Sequence, residues 1–315
     1  MKHNFKITAI LLGMFLLTQF IGLYVVDNYS PIKIVDGEPQ KVSAPDLPFG
    51  MNPPEIEKES DYYGLFSGII IAFAIAITLL FVFTKLKFAF ILKLWFFVVV
   101  IIALGISFNS FLPEYKYASL IALAVALPLA FVKIYKKEIL VHNLTELFIY
   151  PGIAAVFVPI LNIWTIIILL ILISIYDMWA VWKSGIMQKM VKYQMNKLNL
   201  LAGFFIPHAD KKTKQRIKLV KEQYKQKKIS KKEMNKKKFK VNVAILGGGD
   251  VIFPIITAGV VLKTWGFVPA LLVIVGASLG LGYLFLSSEK KKFYPAMPFI
   301  TTGIFLGMLI SWLIF

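Results

Sequence analysis

Apolar runs of about 17–25 residues recur along this chain, and each is long enough to cross about 30 Å of hydrocarbon as an α-helix. A backbone in lipid must satisfy its own polar groups, which leaves only helices or closed barrels. The runs lack the alternation of a barrel strand. Hydrophobic residues make up 58% of the 315 residues, against roughly half in an ordinary soluble domain. The expected fold is an all-α polytopic membrane protein of about nine transmembrane helices. The expected spans cover residues 6–26, 64–84, 89–108, 117–134, 143–161, 163–183, 241–262, 266–287 and 294–314. The first run follows Lys2 and Lys6. Its apolar core is too long for a signal peptide and no small-residue cleavage site precedes Asp27, so it reads as a retained span.

Charge divides the rest. The formal net charge is +18, and most of it falls in residues 189–240, where only Asp210, Glu222 and Glu233 oppose the lysines and Arg216. This is the composition of a cytoplasmic loop beside anionic headgroups, so membrane lipid is an expected partner. No nucleic-acid motif or stacking platform accompanies it, so nucleic acid is not expected. Every second connection is basic: Lys2 and Lys6, then Lys85 and Lys87, then Lys133, Lys136 and Lys137, then the 189–240 stretch, then Lys290, Lys291 and Lys292. The alternate connections are acidic (27–62), nearly neutral (Glu114 and Lys116), uncharged (around Pro159 and Asn162) or marked by Lys263 alone. The positive-inside rule then puts the N-terminus in the cytoplasm and the C-terminus outside.

Three parts follow: residues 1–185 with six spans, a basic cytoplasmic loop over 186–240, and residues 241–315 with three spans. The start of the loop, 186–195, has apolar residues at helical spacing and reads as an interfacial amphipathic extension. Residues 210–240 are poor in apolar side chains and are expected to be mobile. The 27–62 loop reads as irregular. There is no cysteine, which excludes disulfides, thiolate catalysis and zinc–thiolate sites. His3, His142 and His208 fall at expected ends or loops, so neither a buried histidine metal site nor a cofactor is expected. Lys93 and Glu146 lie near span ends and are expected to snorkel toward headgroups. Trp95, Trp179, Trp182 and Trp265 fit interfacial or packing positions.

Two aspartates interrupt the apolar runs: Asp177 in span six and Asp250 in span seven. A carboxylate there costs roughly 2.5–3.5 kcal/mol on insertion scales and marks a functional position. Asp177 precedes Lys183 by about six residues, or ~9 Å of helix, and Asp250 follows Lys240 by ten, or ~15 Å. Spans six and seven are sequential and antiparallel, so the carboxylates are expected to face each other nearer the cytoplasm. Such a pair shares a proton. The ionised member can take a proton from water while the protonated member polarises a carbonyl, which hydrolyses a peptide without metal or covalent intermediate. Gly247, Gly248 and Gly249 precede Asp250; they weaken a helix and let another backbone approach. Taken alone, those glycines would be explained equally well by helix packing or a flexible entry into the span; the adjoining Asp250 and a second aspartate at matching depth favour the catalytic reading.

These residues resemble a known family. Tyr176 and Asp177 in span six, Gly247 to Asp250 in span seven, and Pro295, Ala296, Met297 and Pro298 at the start of span nine resemble the YD, GxGD and PAL motifs of presenilin and signal peptide peptidase. Their order, the nine spans and the long loop between the two aspartates match as well, so the resemblance covers most of the chain. It implies an intramembrane aspartyl protease with Asp177 and Asp250 as catalytic dyad. It also implies active-site support from Tyr176, Gly247 and Gly249, and substrate binding at Pro295, Ala296 and Met297. Met297 stands where the family has Leu, a swap of similar volume. Pro298 and the cytoplasmic N-terminus look more like presenilin, which implies transmembrane substrates of type I. A prokaryotic, archaeal-type homologue in the cell membrane, acting without obligate partner subunits, is the expectation. Pro295 also fits a first helical turn on its own grounds.

Two other functions use the same residues. A transporter or cation leak would bind ions at intramembrane aspartates and unwound helices, but no inverted repeat is evident. A prepilin-type peptidase shares the glycines and Asp250, but usually has a lysine within two residues, where Val251 and Ile252 stand here.

Overall fold

A computed structural model describes residues 5–35, 38–42, 45–51, 54, 56, 58–86, 88–112, 116–136, 138–184, 202–208, 213, 215–216, 219–220, 222, 242–288 and 294–314. Among them, nine helices are long and apolar enough to cross a membrane. Their α-helical parts are α1 (Phe5–Asn28), α2 (Glu59–Lys85), α3 (Ala89–Asn109), α4 (Ala118–Phe131), α5 (Ile139–Phe157), α6 (Ile163–Trp179), α7 (Gly248–Trp265), α8 (Phe267–Ser287) and α9 (Met297–Ile314), and short π or 3-10 turns carry the spans of α4, α5 and α6 on to Lys136, Ile160 and Lys183. Two antiparallel hairpins accompany them: β1 (Ile32–Val35) with β2 (Glu38–Lys41), and β3 (Gly203–His208) with β4 (Asn242–Gly247).

The expected spans are present, with three instructive differences. Span seven starts at Gly248, not at 241, because 242–247 pair with β3 as a strand. The run Val243, Ala244, Ile245, Leu246 is rich in β-branched residues and is bounded by glycine, a strand signature hidden inside a helix-length apolar stretch. Asp250 therefore lies in the first helical turn of α7, not ten residues along a helix. Span nine starts at Met297, which leaves Pro295 and Ala296 outside the helix and puts Pro298, not Pro295, in the first turn. The 27–62 loop contains the β1–β2 hairpin and is not wholly irregular. The expected amphipathic helix at 186–195 lies outside the described residues, as does most of the stretch expected to be mobile.

Helix α7 is the hub. Val251, Ile255, Ala258, Val260 and Val261 are fully or almost fully buried, in one core shared by α1, α5, α6, α8 and α9. By contrast, α2 stands at the edge, with 6% of its span buried. Local chemistry sets the helix ends. Asn162 and Thr165 form a reciprocal capping box that starts α6: the Thr165 amide donates to Asn162 Oδ1 at 2.9 Å and the Asn162 amide to Thr165 Oγ1 at 2.9 Å. Lys263, near the end of α7, is buried and donates to the Val158 and Pro159 carbonyls at 2.8 and 3.1 Å. Those are terminal carbonyls of the α5 segment, where a cation complements the helix dipole. Helices α8 and α9 meet backbone to backbone. A Cβ on Gly276 would overlap the Gly303 carbonyl, and one on Gly303 would overlap that of Gly276, so only glycine permits this approach.

Candidate active site

Two helix N-termini hold the two aspartates. Asp250 is the third residue of α7, and Gly247 is its cap. The Gly247 backbone N–H interacts with the Asp250 carboxylate, the half of a capping box in which a third-position acid reaches back to the cap amide. A Cβ on Gly247 would sit 3.1 Å from Asp250 Oδ2, tighter than nine in ten real Cβ contacts, so glycine eases the fold of the carboxylate over its own cap. Asp177 lies near the end of α6, half-buried. The Met297 amide, first in α9, donates to its Oδ2 at 3.0 Å, and the Ala296 amide interacts with the same carboxylate. First-turn amides of a helix have no partner within it, so a carboxylate is their natural acceptor.

The two carboxylates also sense each other electrostatically. The structure thus brings Asp177, Asp250, Gly247, Ala296 and Met297 into one site, at the junction of α6, α7 and α9. Pro295 is buried beside it and turns the chain into α9. Gly249 faces outward; a Cβ there would make only ordinary contact with Phe253 at 3.7 Å. Tyr176 points away from the bundle core, 48% exposed, with its ring against that of Trp179.

Several residues around the site carry roles that the sequence did not announce. A Cβ on Gly248 would come within 2.8 Å of the Tyr150 hydroxyl, so α5 packs directly on the first turn of α7. Pro254 lacks the N–H that the Asp250 carbonyl would accept in a regular helix. Gln19 of α1 is fully buried and donates through Nε2 to the next carbonyl, Val251, at 3.1 Å. Ser174 and Thr301 join α6 to α9 through a buried hydrogen bond of 2.9 Å. The weak sequence signal for these was a polar residue inside an apolar run.

A second polar cluster lies under β3. Glu146 was expected to face headgroups and His142 to lie at a span end; both are buried in α5, at 2% and 6% exposure. Span five begins earlier, at Ile139, and its partner Lys133 is also buried, which turns the three inward. Lys133 Nζ donates to Glu146 Oε1 at 2.6 Å and lies 3.2 Å from His142 Nδ1. Beside them, Asn143 makes two bonds to Phe205 of β3. Its Nδ2 donates to the Phe205 carbonyl at 2.9 Å, and its Oδ1 accepts from the Phe205 amide at 3.1 Å.

Comparisons with known proteins bear on the family and the fold. A family model described as signal-peptide peptidase, presenilin aspartyl protease matches residues 47–315. Two solved structures of a presenilin family intramembrane aspartate protease, in C222 and P2 space groups, are similar in fold. The first has 19% identity and a TM-score of 0.56 over 98% of this chain and 99% of the other. The second has 17% identity and a TM-score of 0.58 over 97% of each. No curated protein matches the chain.

Proposed function

We propose that in this chain, which belongs to the signal-peptide peptidase and presenilin aspartyl protease family, Asp177 and Asp250 are the carboxylates that cleave the peptide bond. The protein is an integral, multi-pass intramembrane aspartyl protease whose family acts on transmembrane substrates. The observation that carries the assignment is the hydrogen bond from the Met297 amide to Asp177 Oδ2. It ties the start of α9 to one aspartate, while the other lies within electrostatic reach.

The chemistry follows from the pair. The ionised carboxylate takes a proton from water, and the water oxygen adds to the scissile carbonyl carbon. The protonated partner gives its hydrogen to the carbonyl oxygen, so a neutral gem-diol forms without a metal or an acyl-enzyme. Collapse of the diol returns a proton to one carboxylate, breaks the C–N bond and protonates the leaving amine from the other. The pair ends with one proton, as it began. Gly247 and the Ala296 and Met297 amides orient the two carboxylates, and Pro295 fixes the entry into α9. Gly249 leaves the approach to Asp250 open, and Tyr176 flanks Asp177.

Substrate is proposed to arrive as an unwound strand. β3 and β4 pair antiparallel, with Phe205 opposite Ile245. Both polar groups of Phe205 face Asn143, so 205 and 245 form a non-hydrogen-bonded pair and the groups of Ile245 face away from β3. Ile245 is 38% exposed, and β4 runs straight into the helix that carries Asp250. An extended segment added to this edge would lay its carbonyls beside the pair.

The basic connections support a cytoplasmic N-terminus, and the internal satisfaction of Lys263 removes the one lysine from the turn expected outside. That sense favours type I substrates. Both carboxylates and the orienting amides come from one chain, which supports action without obligate partner subunits; the location proposed for it is a prokaryotic cell membrane. The test is to reconstitute the purified chain with a single-span substrate, with and without a transition-state-analogue aspartyl inhibitor. Cleavage that the inhibitor abolishes is expected. Cleavage that ignores the inhibitor, or cation flux with no cleavage, would contradict the assignment.

A further inference from the structure

We propose that helix α5 serves as a built-in partner strand for β3, with His142, Asn143 and Glu146 as positioning residues that fix where a substrate is cut. The proposal rests on substrate docking along β4.

The outward edge of β3 is filled by side chains of α5, residue by residue. Asn143 presents an amide to Phe205 as a neighbouring strand would, donating to its carbonyl and accepting from its N–H. Two residues earlier, His142 Nε2 lies 2.9 Å from the Gly203 carbonyl and the Gly203 amide donates to Glu146 Oε1 at 3.4 Å. With Lys133 donating to Nδ1, the imidazole donates through Nε2. The next outward residue in this alternation is Pro207, which has no N–H to satisfy. Gly203 has a φ of +128°, and a Cβ there would overlap the Leu246 backbone, so the strand is pressed against β4 at this point.

The consequence is directional. With one edge of β3 held by α5 and the other by β4, an incoming strand can add only to β4. Side chains alternate along a strand, so a one-residue slip would exchange every face and shift the bond offered to Asp250. Four elements close a ring that resists such a slip. α5 holds β3, β3 pairs with β4, β4 continues into α7, and α7 packs on Tyr150 of α5. The buried Lys133–Glu146 pair braces the clamp. Buried ion pairs are poor devices for raising stability, because desolvation offsets their attraction, and are better suited to fixing geometry.

The experiment uses the full chain in liposomes with a single-span substrate and identifies products by mass spectrometry. Asn143→Leu, which keeps the branching and the heavy-atom count of the side chain, removes both bonds to Phe205. The preference for the principal cut over its neighbours is expected to fall ~10-fold. Unchanged cut positions and ratios would overturn the proposal, since a general loss of stability lowers total cleavage without redistributing it. Amide hydrogen exchange supplies a second measurement that needs no clamp variant. Without substrate, the Gly203 and Phe205 amides are expected to exchange slowly and the Ile245 amide fast. Ile245 becomes protected when substrate binds the Asp250→Asn enzyme. A Phe205 amide as fast as Ile245, or an Ile245 amide already protected, would also overturn it. Cleavage surviving in Asp250→Ala would instead contradict the dyad, which separates the two failures.

Discussion

Ser174 Oγ donates to Thr301 Oγ1 at 2.9 Å, one turn before Asp177 on α6 and one turn after Met297 on α9. Both side chains are buried. The bond sets the relative height of the two helices, and with it the 3.0 Å contact of the Met297 amide with Asp177. Ser174→Ala and Thr301→Val should each lower the cleavage rate several-fold and stability by ~1 kcal/mol. Because the two act through one bond, the double variant should be little worse than either single one. Cleavage kinetics and denaturant unfolding in detergent would check both statements.

Met297 contributes a backbone donor, so its side chain and its N–H can be separated. Met297→Leu keeps volume and N–H and should cleave at close to the native rate. Met297→Pro deletes the N–H at the first helical position, where proline is well tolerated. It should fold, with a cleavage rate lowered ~10-fold or more by loss of a bond to a charged acceptor. Equal rates for the two variants would mean that the amide does not orient Asp177.

Gly248 and Tyr150 offer a steric test. Gly248→Ala puts a methyl within 2.8 Å of a buried hydroxyl and should push the first turn of α7 away from α5. Activity should drop sharply. Adding Tyr150→Phe removes the nearest atom and should restore part of it, although the ring carbons at 3.0–3.2 Å still crowd the methyl. A double variant no better than Gly248→Ala would place the defect elsewhere.

Lys133 and Glu146 form a buried pair, with side-chain exposures of 7% and 2%. Lys133→Met leaves the carboxylate uncompensated and should cost ~3–5 kcal/mol in unfolding free energy. Lys133→Met with Glu146→Gln removes both charges while keeping an acceptor for Gly203, and should recover most of that loss. The unfolding midpoints of the two variants give the comparison.

Much of this was legible in the sequence. The apolar runs carried the helices, because length and composition decide which segments can cross lipid. The cost of a carboxylate in such a run singled out Asp177 and Asp250. What stayed hidden is physical in each case. The strand before Gly248 is as apolar as a span, and only its pairing with 203–208 tells it apart. Glu146 and His142 looked like end residues, because burial in a polar cluster depends on Lys133 arriving from another helix. Gly248 was one of a run of glycines, and the contact that demands it is with a tyrosine nearly a hundred positions away. Pro295 kept its place beside the site, but the helix start passed to Met297, whose amide is what Asp177 uses.

The most direct test measures cleavage of a single-span substrate by purified, reconstituted Asp177→Ala, Asp250→Ala and the double variant. If the two carboxylates act as one pair, each single variant falls to background, the double variant falls no further, and all three remain folded. Sustained cleavage by either single variant would contradict a shared two-aspartate site.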